Sequence, residues 1–138
     1  DPDTANAAVL AASTGHRVAA TLHADSAIDA VIRMIALIDP RYEKILPKTI
    51  NGLWWQHVVR FSEEGRDPLP IYESIKVDAT VRLILEGGVD KLQQLPNEMR
   101  RQGRRTMAEV ANRLVQDGKA KQLEVSEFLN RRGRSSEN

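Results

Sequence analysis

A short segment near the beginning of the chain limits the fold most strongly. Residues 17–22, RVAATL, lie between Gly15, a residue type that often ends helices, and Asp25–Ser26, which are typical helix-capping residues. These six residues are too few for a helix and suit a buried strand. The segment therefore predicts a central strand between two helices, as in an α/β fold.

Two histidines flank this predicted strand. His16 would lie at its beginning and His23 just beyond its carboxyl end, the edge where open α/β sheets bind ligands. An extended strand would separate the rings by about 20 Å, so they do not form one catalytic pair. In one interpretation both rings bond to backbone groups. In another, a metal would bind His23, Asp25 and further ligands, and the only other histidine is His57.

The first part of the chain mixes helices with strands. Asp3 and Thr4 are expected to cap the first helix, and Ser26 begins a second helix with an apolar stripe. Two segments rich in aromatic and branched residues, 53–60 and 69–76, flank a polar turn and predict a β-hairpin. The predicted helices of this part are 4–14, 26–39 and 41–50.

Only helical patterns follow the second strand of the hairpin. Asp78 and Thr106 are typical helix caps, and Pro96 fits the first turn of a helix. The predicted helices are 78–87, a short one ending at 95, 96–102, 106–118 and 125–131. The expected organisation is an α/β part over residues 1–77, an all-helical bundle over 78–132 and a disordered tail over 133–138.

Composition excludes several classes of protein. The chain has no cysteine, so it has no disulfides, thiolate nucleophiles or cysteine zinc sites, and this fits the cytoplasm. No apolar run approaches the ~20 residues of a membrane-spanning helix. No Ser-His-Asp or GxSxG arrangement indicates acyl transfer. The sequence runs from its first residue straight into a helical pattern, without Met or a leader, and we expect a piece of a longer protein.

Several stretches of the chain follow one another in the order of a known family. They are Asp1 with Thr4, TGH at 14–16, TLHADSA at 21–27, INGLWWQ at 50–56, TVRLILEGG at 80–88 and QLPNEMRRQGRRTM at 94–107. Together they resemble the secretion ATPase superfamily, the hexameric motors of type IV pilus, type II secretion and type IV secretion systems. The first three resemble the acidic Walker B end and the histidine box. The resemblance covers nearly the whole chain.

This resemblance implies a fold and a role for several residues. It implies the C-terminal part of a RecA-like P-loop ATPase core, followed by the helical bundle. It implies that His23 senses the γ-phosphate of ATP, that Thr21 and His16 lie at the nucleotide, with His16 in a mainly structural role, and that Asp1 follows the Walker B glutamate. ATP and Mg²⁺ are the implied cofactors, held mainly by an upstream part of the protein.

The phosphate-binding P-loop itself is not recognisable in these residues. The only GK pair, Gly118–Lys119, is followed by Ala120 and lacks a glycine-rich lead. Without backbone N–H groups around the phosphates and a hydroxyl for Mg²⁺, this chain alone is expected not to hydrolyse ATP.

The helix TVRLILEGG is expected to couple nucleotide state to movement. Its Val81 and Leu85 would pack on the helical bundle, and Arg82 points off that stripe and could reach another element or subunit. The resemblance implies a homo-hexamer at the cytoplasmic face of the inner membrane. Its implied partners are inner-membrane platform or secretion-machinery proteins.

Positive charge is concentrated in the C-terminal part. Residues 1–97 carry a net charge of −3 and residues 98–138 one of +4. The arginines concerned are Arg100, Arg101, Arg104, Arg105, Arg131, Arg132 and Arg134. They indicate either a solvated surface or, by the resemblance, a contact with acidic loops of neighbouring subunits or partners. Nucleic-acid binding is not expected, because aromatic residues are not interleaved and the whole chain carries only +1.

The chain departs from the family pattern at a few positions. His57 stands where the resemblance suggests Arg, LHAD replaces LHTN, and the tetracysteine insert of extension and export motors is absent, which favours a retraction-type or type IV secretion subgroup. In the pair Trp54–Trp55 one ring faces the core and the other the opposite side, so a structural role and a subunit contact both remain open. The alternative function is a non-catalytic interaction domain whose helical bundle docks on a partner.

Overall fold

The computed structural model describes residues 1–126 and combines α-helices with one β-hairpin, as expected from the sequence. The helices are α1 (Pro2–Ser13), α2 (Ala27–Leu37), α3 (Leu46–Thr49), α4 (Ala79–Glu86), α5 (Leu95–Arg101) and α6 (Met107–Gln116). The strands are β1 (Gly52–Val59) and β2 (Leu69–Lys76), and 3₁₀ helices span Pro40–Tyr42 and Val89–Gln94. Residues 122–126 are again helical.

Side-chain caps begin most of the longer helices. Ser26, Asp78 and Thr106 cap α2, α4 and α6, as predicted. The cap of α1 is Asp1 and not the predicted pair Asp3 and Thr4. Asp1 was missed because the helix begins two residues earlier than expected, so that Thr4 N–H falls 2.9 Å from Asp1 Oδ1.

The two strands pair antiparallel, and their register decides which side chains face the core. Trp55 lies directly opposite Glu73, and Trp54 lies opposite Ser74. Because side chains alternate along a strand, Trp55 and Glu73 point to the same face as Ile71 and Ile75. Trp54 points to the other face, where it is 62% exposed.

One hydrophobic cluster joins the two predicted parts of the chain. It combines buried residues of α2, β2, α4, the second 3₁₀ helix and α5 with one residue between β2 and α4. Its members are Ala27, Val31, Ile75, Val77, Val81, Ile84, Leu85, Leu92, Leu95 and Met99. A second cluster places Met107 and Ala111 of α6 against Val59 and Ile71 of the hairpin. The boundary at residue 77 stays a prediction, and buried side chains on either side of it share a core.

The predicted strand at residues 17–22 is wrong. The segment has no regular secondary structure, and its side chains are exposed. Within residues 1–126 the only paired strands are β1 and β2, so the segment has no neighbour to satisfy its backbone. The helix predicted over 41–50 is also corrected, since a 3₁₀ turn and the short α3 occupy that range, where Pro40 and Pro47 begin separate turns.

Some expectations concern residues that the structure does not describe. The predicted last helix, 125–131, lies outside the described residues except for its first two positions, and the tail at 133–138 lies wholly outside them. Arg131, Arg132 and Arg134 fall there too. In the part that is described, no helix is both long and apolar enough to cross a membrane.

Candidate functional site

The two histidines of the candidate site lie on the exposed segment that follows α1. Gly15 ends this helix with a φ of 94°, which a left-handed helix end requires. His16 Nδ1 lies 3.1 Å from the Thr14 hydroxyl oxygen, so the backbone contact proposed for this ring is replaced by a side-chain contact. Thr21 and His23 are exposed further along. None of the hydrogen bonds formed among residues 1–126 involves the His23 imidazole.

An open cavity of about 1390 Å³ runs beside this segment. His16, Thr21 and His23 all line it, and so does Arg17, which the sequence reasoning missed because it treated residue 17 only as part of a strand. His57 of β1 and Asp25 line it as well. The cavity therefore brings together several hydrogen-bond donors, one arginine and one aspartate.

Asp1 has a structural role in the described fold. Its Oδ1 accepts from Thr4 N–H and its Oδ2 from the Thr4 hydroxyl, both at 2.9 Å. This pairing of Asp1 with Thr4 occupies both carboxyl oxygens at the first turn of α1. A catalytic role for Asp1 stays a prediction.

The junction directly after His23 is held by hydrogen bonds from several directions. The Trp55 indole N–H donates to the Ala24 carbonyl oxygen at 2.7 Å. Asp29 Oδ2 accepts a hydrogen bond from Asp25 N–H at 2.8 Å and another from Arg33 Nε at 2.7 Å. Residues 24–27 are therefore fixed, whereas residues 17–23 make no hydrogen bond among the described residues.

Glu73 is the functional candidate that sequence reasoning missed most clearly. It is only 2% exposed, and its two carboxyl oxygens accept from the first N–H groups of two helices. Ala27 N–H of α2 lies 3.0 Å from Oε1, and Met107 N–H of α6 lies 2.9 Å from Oε2. A signal was present, because Glu73 falls in phase with the buried Ile71 and Ile75 of the alternating strand.

The predicted coupling residues of α4 are divided between core and surface. Val81 is fully buried and Leu85 is 3% exposed, both in the core cluster, as expected from their spacing. Arg82 does reach another element, since its Nη1 donates to the Pro47 carbonyl oxygen of α3 at 2.6 Å. Arg82 is therefore tied to α3 and is not a freely solvated side chain.

The arginines around Gly103 mostly have partners within the described chain. Arg100 pairs with Glu109, and Arg101 pairs with Asp78 and Glu98. The Val81 N–H, and after it the Arg101 guanidinium, hold the pKa of Asp78 below its ordinary 3.8. Exposed ion pairs of this kind contribute little stability, so these contacts fit a structured basic surface and do not identify a ligand.

The outer face of the hairpin carries the second tryptophan. Trp54 stacks on Tyr72 with ring centroids 4.4 Å apart, while Trp55 faces the core and lies 6.3 Å from the His57 ring. The two tryptophans thus face opposite sides, as the alternation predicted. Trp55 has a structural role, and the role of Trp54 stays open.

The fold also bears on the Gly118–Lys119 pair and on the metal-binding interpretation. The pair Gly118–Lys119 follows α6, and Gly118 has a φ of 67°, so it ends a helix and does not connect a strand to a helix as a P-loop does. Among residues 1–126, no group of three or more histidine, aspartate or glutamate side chains is placed to hold a metal ion.

Comparison with known families identifies the class of protein. Residues 1–135 match the family described as type II/IV secretion system protein. The chain belongs to this family, within the secretion ATPase superfamily that the motifs indicated.

Two solved structures share the fold. One is the ATPase DotB of Legionella pneumophila, which is 24% identical, with a TM-score of 0.75 over 94% of this chain and 36% of that chain. The other is the ATPase DotB of Yersinia pseudotuberculosis, which is 20% identical, with a TM-score of 0.73 over 93% of this chain and 34% of that one. The chain thus spans about a third of each neighbour. A comparison with curated proteins finds no match.

Proposed function

We propose that the chain is the C-terminal segment of a hexameric motor ATPase that powers protein or DNA secretion or pilus movement from the cytoplasmic face of the inner membrane. The family match over residues 1–135 carries this proposal. The similarity of fold to two ATPases supports it. In its motifs the chain resembles the pilus retraction motors and the type IV secretion motors most.

We propose that His23 senses the γ-phosphate of ATP and that Thr21 and His16 lie near the same nucleotide. The support is chemical, because an imidazole, a hydroxyl and the nearby Arg17 guanidinium donate hydrogen bonds of the kind that phosphate oxygens accept. The nucleotide, when bound, supplies the phosphoanhydride bond that is hydrolysed. His23 would bind and orient the terminal phosphate from the chain's exposed segment.

The remaining catalytic parts are proposed to come from an upstream, RecA-like part of the protein. This part would carry the P-loop, the Walker B glutamate beside Asp1 and the groups that hold Mg²⁺. It would also cover Val18 and Leu22, which are exposed apolar side chains of the segment after α1. We expect residues 1–138 alone not to hydrolyse ATP.

The link from nucleotide to movement is proposed to run through α4. Val81 and Leu85 pack in the cluster that also includes α2, the helix directly after the His23 segment. Arg82 connects the same helix to α3. A change at the nucleotide that moves α2 would therefore be passed to α4 through the shared core cluster.

The substitution His23→Ala in the full-length protein tests the proposal. We expect kcat for ATP hydrolysis to fall by about tenfold or more, with the Kd for ATP changed by less than about threefold, because a γ-phosphate contact acts mainly in the transition state. His16→Ala is the matched control and is expected to lower kcat less. Equal losses of turnover and affinity at His23 would show a role in folding or ground-state binding instead.

A further inference from the structure

The position of His23 depends on the residues that follow it. On its N-terminal side the nearest hydrogen-bonded residue of the described chain is His16, whose N–H donates to the Ala11 carbonyl oxygen at 3.1 Å. On its C-terminal side the neighbouring Ala24 already accepts the Trp55 indole N–H. The chain is thus anchored seven residues before His23 and one residue after it. The contact at Ala24 therefore dominates where the imidazole lies.

The anchor at Ala24 belongs to a pair of side chains. Trp55 and Glu73 lie directly opposite each other on the core face of the hairpin. Trp55 holds Ala24, and Glu73 holds Ala27 N–H at 3.0 Å. This cross-strand pair therefore forms hydrogen bonds with the first and the last residue of the four-residue junction 24–27.

The second carboxyl oxygen of Glu73 connects this junction to α6. It accepts Met107 N–H of α6, so a single carboxyl group joins the first turns of α2 and α6. Carboxylates are favoured at helix N-termini, because the first N–H groups have no partner within the helix and the positive end of the helix dipole lies there. A shift of α6 is therefore passed to α2 and to the junction behind His23.

We propose that Trp55 and Glu73 form a positioning pair that sets the orientation of His23 and links it to α6. This inference rests on the proposed function, because it assigns the pair a role through the γ-phosphate sensor. Trp55 borders the same cavity as His23, whereas Glu73 does not line it. Their effect is to hold the backbone from which His23 projects.

The experiment compares tryptophan variants in the full-length protein. Trp55→Phe keeps an aromatic ring, removes the N–H that donates to Ala24 and makes the side chain smaller. We expect kcat for ATP hydrolysis to fall by about tenfold with KM changed by less than about twofold, since small misplacements of a catalytic group have effects of this size or larger. Trp54→Phe is the matched control, because it makes the same change at an exposed ring that also borders the cavity but does not hold Ala24, and it is expected to lower kcat less.

A double variant tests whether Trp55 acts through His23. In a His23→Ala background, Trp55→Phe is expected to cause no further loss of kcat, because both changes remove the same contribution. A further loss in that background would overturn the proposal. So would a Trp55→Phe protein that turns over normally while His23→Ala is impaired.

Deuterium uptake measures how firmly the backbone of the junction is held, without reference to catalysis. We expect residues 21–30 to exchange faster in Trp55→Phe and in Glu73→Gln than in wild type or Trp54→Phe. If His23→Ala hydrolyses ATP normally, the γ-phosphate role fails, and faster exchange still supports the positioning pair. Unchanged exchange in both variants overturns the pair whatever His23 does.

Discussion

Removing the carboxyl group of Glu73 is expected to destabilise this part of the protein strongly. In Glu73→Ala the first N–H groups of α2 and α6 both lose their acceptor in a region where Glu73 is 2% exposed. An unsatisfied buried donor costs about 1–3 kcal/mol, so two such donors suggest about 2–6 kcal/mol in total. Glu73→Gln keeps one carbonyl oxygen and is expected to cost about 2 kcal/mol, because only one N–H keeps its acceptor.

Urea unfolding of the full-length protein, followed by far-UV circular dichroism, measures these costs from the shift of the midpoint at constant slope. Ser26→Ala and Thr106→Ala are the controls. Each removes one local cap, from α2 or from α6, and is expected to cost about 1 kcal/mol. A Glu73→Ala protein no less stable than these controls would refute the idea that one carboxyl group supports both helices.

Two other predictions concern stability. Leu85→Ala is expected to lower the free energy of unfolding by about 2–5 kcal/mol, because it leaves a core cavity. Arg82→Ala is expected to lower it by about 1 kcal/mol, because the hydrogen bond to α3 is lost. Both are measured by urea unfolding, and equal midpoints for the two variants would contradict this. Backbone N–H donors lower the pKa of Asp78, and they lower the pKa of Glu124 from an ordinary 4.5 to about 2. At Glu109 the pKa is lowered chiefly by the hydrogen bond from Arg100. Because protons bind these groups more readily in the unfolded chain, their stabilisation is present above about pH 4.5 and is lost as the pH falls towards 2. Glu124→Gln is expected to weaken this dependence in melting curves recorded against pH, and an unchanged curve would exclude Glu124 as a contributor.

Local sequence signals predicted the helices and the hairpin well. Ser26, Asp78 and Thr106 begin helices because a side-chain oxygen can satisfy an N–H of the same chain three residues on, an interaction that needs no distant partner. The alternation of residues 69–76 likewise identifies the buried face of β2. Signals of this kind depend only on neighbours in sequence, which is why they could be interpreted without a structure.

The strand at 17–22 failed for the opposite reason. A strand is stable only when another strand pairs with its backbone, and within residues 1–126 no such partner is formed. The apolar character of Val18 and Leu22 predicted burial, but both side chains are exposed in the described part of the chain. The candidate site likewise depends on contacts with distant parts of the chain. The residue types at 16, 21 and 23 indicated the chemistry of the site but not the contacts that hold these residues in place.

The supports of His23 could be found only in three dimensions. Trp55 is 31 residues from Ala24, and Glu73 is 46 from Ala27 and 34 from Met107, so no local pattern connects them. Only the register of the hairpin, with Trp55 opposite Glu73, turns two unremarkable strand positions into one pair. The same arrangement explains why the histidine segment can be exposed and lack hydrogen bonds of its own while its C-terminal end stays fixed. For the sensor role that we propose for His23, the hairpin would supply the attachment.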